Sequence, residues 1–195
     1  MRFTFFIILL AALGFVACNN DDQSIVENTI EFRVNPERVG PAIADSSLGI
    51  TFQPPASCVK MPASFVNEVQ AELVKQFAQS DDFSIEPAHI FIDEQNSFVC
   101  LISTLPDINS DSTAEDYEAD LYETWQENDV EQTEFIHNGF NIYQTLVMSP
   151  IRVQFILVVP QPRQPSFRID YIIPKENYSG QIKAIESSIG SLNSL

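Results

Sequence analysis

Between residues 89 and 173 the chain offers one short strand-type run after another, each closed by a polar turn or a proline. This pattern commits it to an antiparallel sheet. His89–Asp93 and Phe98–Ile102 read as a pair joined by the polar turn Glu94–Ser97. Glu134–Ile136 meets Phe140–Tyr143 through His137-Asn138-Gly139, and Asn-Gly between apolar runs is a strong hairpin signal because both turn residues tolerate positive φ. The unbroken apolar run Val153–Val159 is long enough for a central strand. Phe167–Ile173 alternates and stops at Pro174, which cannot continue a ladder. Leu48–Phe52 ends in the same way at Pro54-Pro55, and Ile30–Val34 alternates as a first strand.

Three segments change to helical spacing. Between Pro62 and Gln79, Phe65, Val69, Leu73 and Phe77 recur every fourth residue, flanked by Val66 and Val74. Thr113–Gln126 places Tyr117, Leu121 and Trp125 on one face, with Ser112 as cap and Glu115 three residues later. Near the end, Ile182, Ile185, Ile189 and Leu192 follow a cap at Asn177 or Ser179, and Gly180 and Gly190 weaken that helix. The expected fold class is therefore α+β: an antiparallel sheet packed with about three helices.

The N-terminus predicts where the chain resides. Arg2 is followed by the apolar run Phe3–Leu13, too short to span a bilayer, which needs about 20 apolar residues. Gly14-Phe15-Val16-Ala17-Cys18 then resembles the lipobox of bacterial lipoproteins. The resemblance implies a signal peptide over residues 1–17 and palmitate-type acylation of Cys18, so that acyl chains hold the protein on the membrane. Asn19, Asn20, Asp21 and Asp22 follow. They resemble the sorting signals that send lipoproteins to the outer membrane and, in Bacteroidota, to the cell surface; they read equally well as a solvated tether. Residues 18–46 are expected to be the lipidated cysteine, a polar tether and a first strand, and residues 47–195 one domain.

Charge removes one class of partner. With 27 acidic side chains against 10 basic ones, the net charge is −17. Phosphate backbones need Lys and Arg, so nucleic acid is excluded as a partner. Such a body gains nothing overall from an anionic membrane, which leaves attachment to the acyl chains. From Glu115 to Glu134 no Lys or Arg interrupts the carboxylates. That run is a solvated face, or a docking surface for an envelope protein with Tyr117, Glu118, Tyr122, Glu123 and Trp125 as contacts. The loop Pro160–Pro165 is the other candidate edge.

Chemistry-bearing residues are sparse. There is no G-x-S-x-G nucleophile elbow, and the two histidines, His89 and His137, fall at a strand start and in a hairpin turn. Cys100, which could in principle pair with His89, sits among apolar neighbours that keep a thiol protonated. The chain is therefore expected not to be an enzyme. Cys58 and Cys100 remain after acylation of Cys18, and two readings stand: a disulfide, or two buried free thiols. Asp107, Asn109, Asp111 and Glu118 match oxygen-donor positions of an EF-hand-like calcium loop, although Ser112 stands where that loop wants Gly. The expectation is no cofactor, with Ca²⁺ on those four donors as the alternative. Asp111-Ser112-Thr113 also resembles a short O-glycosylation acceptor of Bacteroidota.

The order of elements, with Gly49–Pro55 near the start, Asn138–Tyr143 in the middle and Phe167–Leu192 at the end, resembles the PsbP-like fold. That fold is shared by an extrinsic photosystem II subunit, a nuclear Ran-release factor and bacterial lipoproteins of the DcrB and LpqN kind. The resemblance covers roughly residues 46–193 and implies a non-catalytic accessory module that docks on other proteins. It transfers no active site. The sequence thus supports a membrane-anchored, extracytoplasmic interaction lipoprotein, with a ligand- or Ca²⁺-binding surface lipoprotein as the alternative.

Overall fold

The strand-type runs from Leu48 to Ile173 become strands, and most are longer than the alternation alone marks. A computed structural model describes residues 32–77 and 85–195. In chain order these form β1 (Ile43–Asp45), β2 (Ile50–Phe52), β3 (Val59–Lys60), α1 (Ala63–Phe77), β4 (Glu86–Asp93), β5 (Phe98–Thr104), α2 (Asp111–Trp125), β6 (Asp129–His137), β7 (Phe140–Met148), β8 (Arg152–Val159), β9 (Phe167–Pro174), α3 (Tyr178–Gly190) and β10 (Asn193–Ser194). The fold is α+β. A seven-stranded sheet runs β3-β4-β5-β9-β8-β7-β6, a three-stranded one runs β1-β2-β10, and every named pair is antiparallel.

Turn chemistry sets the register. Asn138 and Gly139 take φ of 48° and 83°, as the two-residue hairpin between β6 and β7 requires, and His137 faces Phe140 across it. At the β4–β5 turn the buried Asp93 carboxylate accepts the backbone N–H groups of Gln95 and Asn96 at 3.0 and 3.2 Å. The Val153–Val159 run lies inside the sheet, between β7 and β9, and is buried on both faces.

Those two faces carry separate cores. Alternate β9 residues Phe167, Ile169, Tyr171 and Ile173 join Leu48, the β2 residues Ile50 and Phe52, and Ile185 and Ile189 of α3 in the larger core. The opposite face packs Tyr143, Val147, Ile156 and Val158 against Ala114, Tyr117 and Leu121 of α2. Helix α1 lies along β4.

Four expectations change. Residues 32–34 form no strand, while Ile30 and Glu31 lie outside the described residues. The stretch 35–46, expected as a loop outside the domain that begins at residue 47, packs on that domain: Val39 is buried and β1 pairs with β2. The cap of α2 is Ser110, not Ser112. Ser110 is extended, with φ −155° and ψ 166°, and exchanges capping-box bonds with Thr113, which leaves Asp111 inside the first turn, where a carboxylate suits the helix dipole. In α1, Val66 is buried but Phe65 is exposed; Leu73, Val74 and Phe77 of the expected stripe have side chains outside the described residues. At the end of the chain Asn177 takes the cap position of α3 without a side-chain bond.

Candidate functional site

Helix α2 carries six of the sequence's candidate residues: Asp111, Tyr117, Glu118, Tyr122, Glu123 and Trp125. Its apolar face, Ala114, Tyr117 and Leu121, is buried against the sheet. Its outer positions Asp111, Glu115, Asp116, Asp120, Glu123 and the following Glu127 are exposed, as are Asp129, Glu131 and Glu134 of the edge strand β6. Residues 107–134 hold eleven carboxylates and no Lys or Arg, so this side presents a continuous negative field.

A buried polar network fastens α2 to the sheet. Arg168 on β9 donates from Nε and Nη2 to the two carboxylate oxygens of Asp170 at 2.7 and 2.6 Å. Its third nitrogen, Nη1, donates to the Tyr117 hydroxyl at 2.5 Å. Gln154 on β8 donates to Asp170 Oδ1 at 3.0 Å. Burial would pull the Arg168 guanidinium down, but Asp170 and Tyr117 hold it above its ordinary value. Burial raises the Tyr117 hydroxyl, against the opposing charge of Arg168. The fork-on-carboxylate geometry satisfies a buried ion pair that would otherwise be costly.

This geometry corrects two of the five proposed contacts. Tyr117 is 5% exposed and belongs to the core. Glu118 is half-buried, and its Oε1 is fully buried without a hydrogen-bond partner. Burial pushes its carboxyl up to about 7, opposed by a hydrogen bond from Thr145 and reinforced by Glu134 and Glu115. Burial, with Asp111, Glu134 and Glu115, likewise raises the Tyr143 hydroxyl well above its usual range. Glu118 occupies the helical position four residues after Ala114 and three before Leu121, which is the flank of the apolar stripe.

The other three contacts lie toward the end of the helix. Tyr122 is 49% exposed and Glu123 is exposed. Trp125 is half-buried, with the Arg152 guanidinium 5.2 Å from its ring centroid, a cation–π contact. Trp125, Arg152, Asn128 and Ile151 line an open depression of about 460 Å³, and Ile151 at the β7–β8 turn is 78% exposed. Neither Arg152 nor Ile151 carries a signal in the sequence that places it beside Trp125.

The calcium donors do not assemble. Asp111 to Glu118 is helix, so these two side chains stand about two turns apart along its axis where a calcium loop would curl them around one ion. Asp111 Oδ1 accepts from Asn141 Nδ2 at 3.2 Å, and the Asn109 N–H donates to Thr113 Oγ1 at 3.1 Å. Among the described residues no group of three or more His, Cys, Asp or Glu is placed to hold a metal ion.

Cys58 and Cys100 are unbonded and buried. Burial, with the Asp93 charge nearby, pushes the Cys58 thiol up to about 12; burial and Cys58 raise Cys100 well above its ordinary value. Both are neutral core thiols at physiological pH. His89 Nε2 lies 2.7 Å from Asp45 Oδ2 and ties β4 to the end of β1. His137 Nε2 lies 3.3 Å from the Gly190 carbonyl oxygen. Residues 162–165 of the Pro-rich loop are exposed, and Gln161 anchors its base by donating to the carbonyls of Leu48 and Pro165 at 3.0 and 2.9 Å. Cys18, Asn19, Asn20, Asp21 and Asp22 lie outside the described residues.

No family model matches the chain, and no curated protein matches it by sequence. Among solved structures it is similar to the solution structure of cyanobacterial PsbP (CyanoP) from Synechocystis sp. PCC 6803. The identity is 11% and the TM-score 0.49, over 80% of this chain and 92% of that one.

Proposed function

We propose that the chain is a non-catalytic accessory lipoprotein of the cell envelope that docks on a basic protein partner through the outer face of α2. The observation that carries this reading is the one-sided charge of residues 107–134, displayed on a helix that the Arg168–Asp170–Tyr117 network holds in place. A fixed acidic face accelerates encounter with a basic surface and sets its orientation. Tyr122 and Trp125, with Ile151 beyond them, supply the apolar area that long-range charge alone does not.

The placement in the envelope rests on the sequence. Acylation at Cys18 would hold the body extracytoplasmically, and Asn19–Asp22 would direct it to the outer membrane, with surface display as a further step. The resemblance of the sequence to PsbP-like lipoproteins of the DcrB and LpqN kind implies the same docking role. The test is affinity capture of the full-length chain from membranes, comparing wild type with the exposed-site variant Asp120→Lys/Glu123→Lys. Loss of a reproducible partner with the melting curve unchanged supports the reading. Equal capture by both proteins removes the α2 face from the interaction.

A further inference from the structure

Positive charge on this chain is scarce, yet three of its ten basic side chains line one depression, against one of its twenty-seven acidic ones. Arg33, Arg38 and Lys183 surround an open hollow of about 410 Å³, with Glu186 as the single carboxylate. On a body of net −17, cations are best stabilised when dispersed among carboxylates, so a cluster of like charge is an arrangement that an anion would relieve.

Local structure holds the two arginines there. Phe32 packs on Phe135 and His137, with ring centroids at 5.6 and 5.5 Å. The Asn35 N–H donates to Ser187 Oγ of α3 at 3.3 Å, and the Asn35 side chain caps a 3-10 turn over Pro36–Arg38. The Arg38 carbonyl accepts from the Ala56 N–H at 3.0 Å, and the Gly40 N–H donates to the Pro54 carbonyl at 2.7 Å. Gly190 makes this seat possible. A Cβ there would stand 2.9 Å from the Phe32 carbonyl oxygen and 3.0 Å from its Cβ, closer than a methyl group tolerates.

Lys183 is paired with Glu186 at 2.9 Å. Among the described residues, neither Arg33 nor Arg38 forms an ion pair with a carboxylate. Two exposed guanidinium groups on an anchored backbone are the natural partners of a phosphate oxyanion, which they can bind through paired N–H donors without first breaking a salt bridge.

We infer that the Arg33–Arg38–Lys183 depression is a binding site for a phosphate oxyanion. This site is independent of the α2 face. The phosphate has two sources, a lipid headgroup or a free phosphate. Cys18 precedes Phe32 by fourteen residues, a reach of at most about 50 Å, so the lipid source additionally rests on the anchoring proposed above.

The experiment is thermal unfolding of the full-length chain in dodecyl maltoside. The probes are inorganic phosphate and, separately, dihexanoyl phosphatidylglycerol, against sodium chloride at matched ionic strength so that screening is held constant. At about tenfold excess over Kd, binding raises the melting temperature by roughly 3–5 °C. The rise is expected to vanish in Arg33→Gln/Arg38→Gln and to persist in Arg163→Gln, an exposed arginine outside the depression. If the double variant lacks a cooperative transition, Lys183→Gln carries the same comparison and reduces the rise. A rise with both probes, or with phosphate alone, assigns a soluble oxyanion; a rise with the lipid alone assigns a headgroup. No rise with either probe, or a rise that survives removal of the arginines, overturns the proposal.

Discussion

The two faces of the seven-stranded sheet are closed by different chemistry. On the α3 face the contacts are apolar and close, down to a glycine that admits the Phe32 backbone, and its polar bonds include short links from hydroxyls to carbonyls. Ser188 Oγ donates to the Gln53 carbonyl at 2.7 Å, and Ser191 Oγ to the Ser188 carbonyl at 2.6 Å. On the α2 face the seal is ionic: Arg168, Asp170 and Tyr117 are bonded to one another under the helix, and the same helix buries an unpaired Glu118 oxygen. The first face is intolerant of added volume where α3 meets the Phe32 backbone. The second depends on which of its buried groups are charged.

Removing one member of the ion pair should have the largest effect. Asp170→Ala leaves the Arg168 guanidinium buried without its counter-charge and should cost about 3–5 kcal/mol in urea denaturation. Replacing both by apolar residues of similar size, Arg168→Met/Asp170→Leu, should cost much less. Equal losses in the two variants would mean that packing, not charge, seals this face.

Next in size is Gly190→Ala. The better helix propensity of Ala, worth up to about 1 kcal/mol, would be outweighed by collision with backbone, for a net loss of about 1–3 kcal/mol. The same substitution at Gly180, where nothing lies within 4 Å of an added Cβ, should be stabilising. That pair of variants isolates close approach from propensity.

Glu118→Gln tests the pH sensitivity of the α2 face. The Glu118 carboxyl is raised from 4.5 to about 7 in the folded state, so the folded protein binds the extra proton in that window. Its contribution is fully present below pH 4.5 and is lost as pH rises through about 7. At pH 8 the Gln variant should be the more stable by roughly 1–2 kcal/mol, a figure reduced from the full shift because the side chain is only half-buried. Its stability should also vary less than wild type between pH 4.5 and 7. A wild-type profile that rises with pH across this window would contradict the placement of Glu118. Ser110→Ala should cost about 1 kcal/mol through loss of the α2 cap, whereas Ser112→Ala should fall within about 0.5 kcal/mol of wild type; denaturant midpoints distinguish the two.

The same contrast marks what could be read from the chain alone. Strands were legible where alternation or a turn signal bounded them, as in the β4–β5 and β6–β7 pairs, and the interior position of β8 was legible from its unbroken apolar run, since burial on both faces removes the alternation. The α2 cap was misplaced by two residues, since Ser110 and Ser112 are chemically equal and only the extended backbone at Ser110 decides. Arg168 and Asp170 alternate with the core residues of β9, which reads as an outward, solvated face until α2 is known to cover it. Tyr117 lies 51 residues away, so no local pattern reports the network. Glu118 had a usable signal: its spacing from Ala114 and Leu121 places it on the flank of the buried stripe. The Arg33–Arg38–Lys183 cluster had none, because α3 reaches the start of the domain only through tertiary packing.

The central claim, that the outer face of α2 is the docking surface, is tested most directly by site-specific photo-crosslinking in cells. A photoreactive phenylalanine would replace the exposed Tyr122 in the full-length chain, and Arg163 in the Pro-rich loop would serve as the comparison position. A discrete adduct at position 122 that is absent at 163 and disappears when Asp120→Lys/Glu123→Lys is added is the predicted result. An adduct at 163 alone, or none at 122 while the protein remains folded, would contradict it.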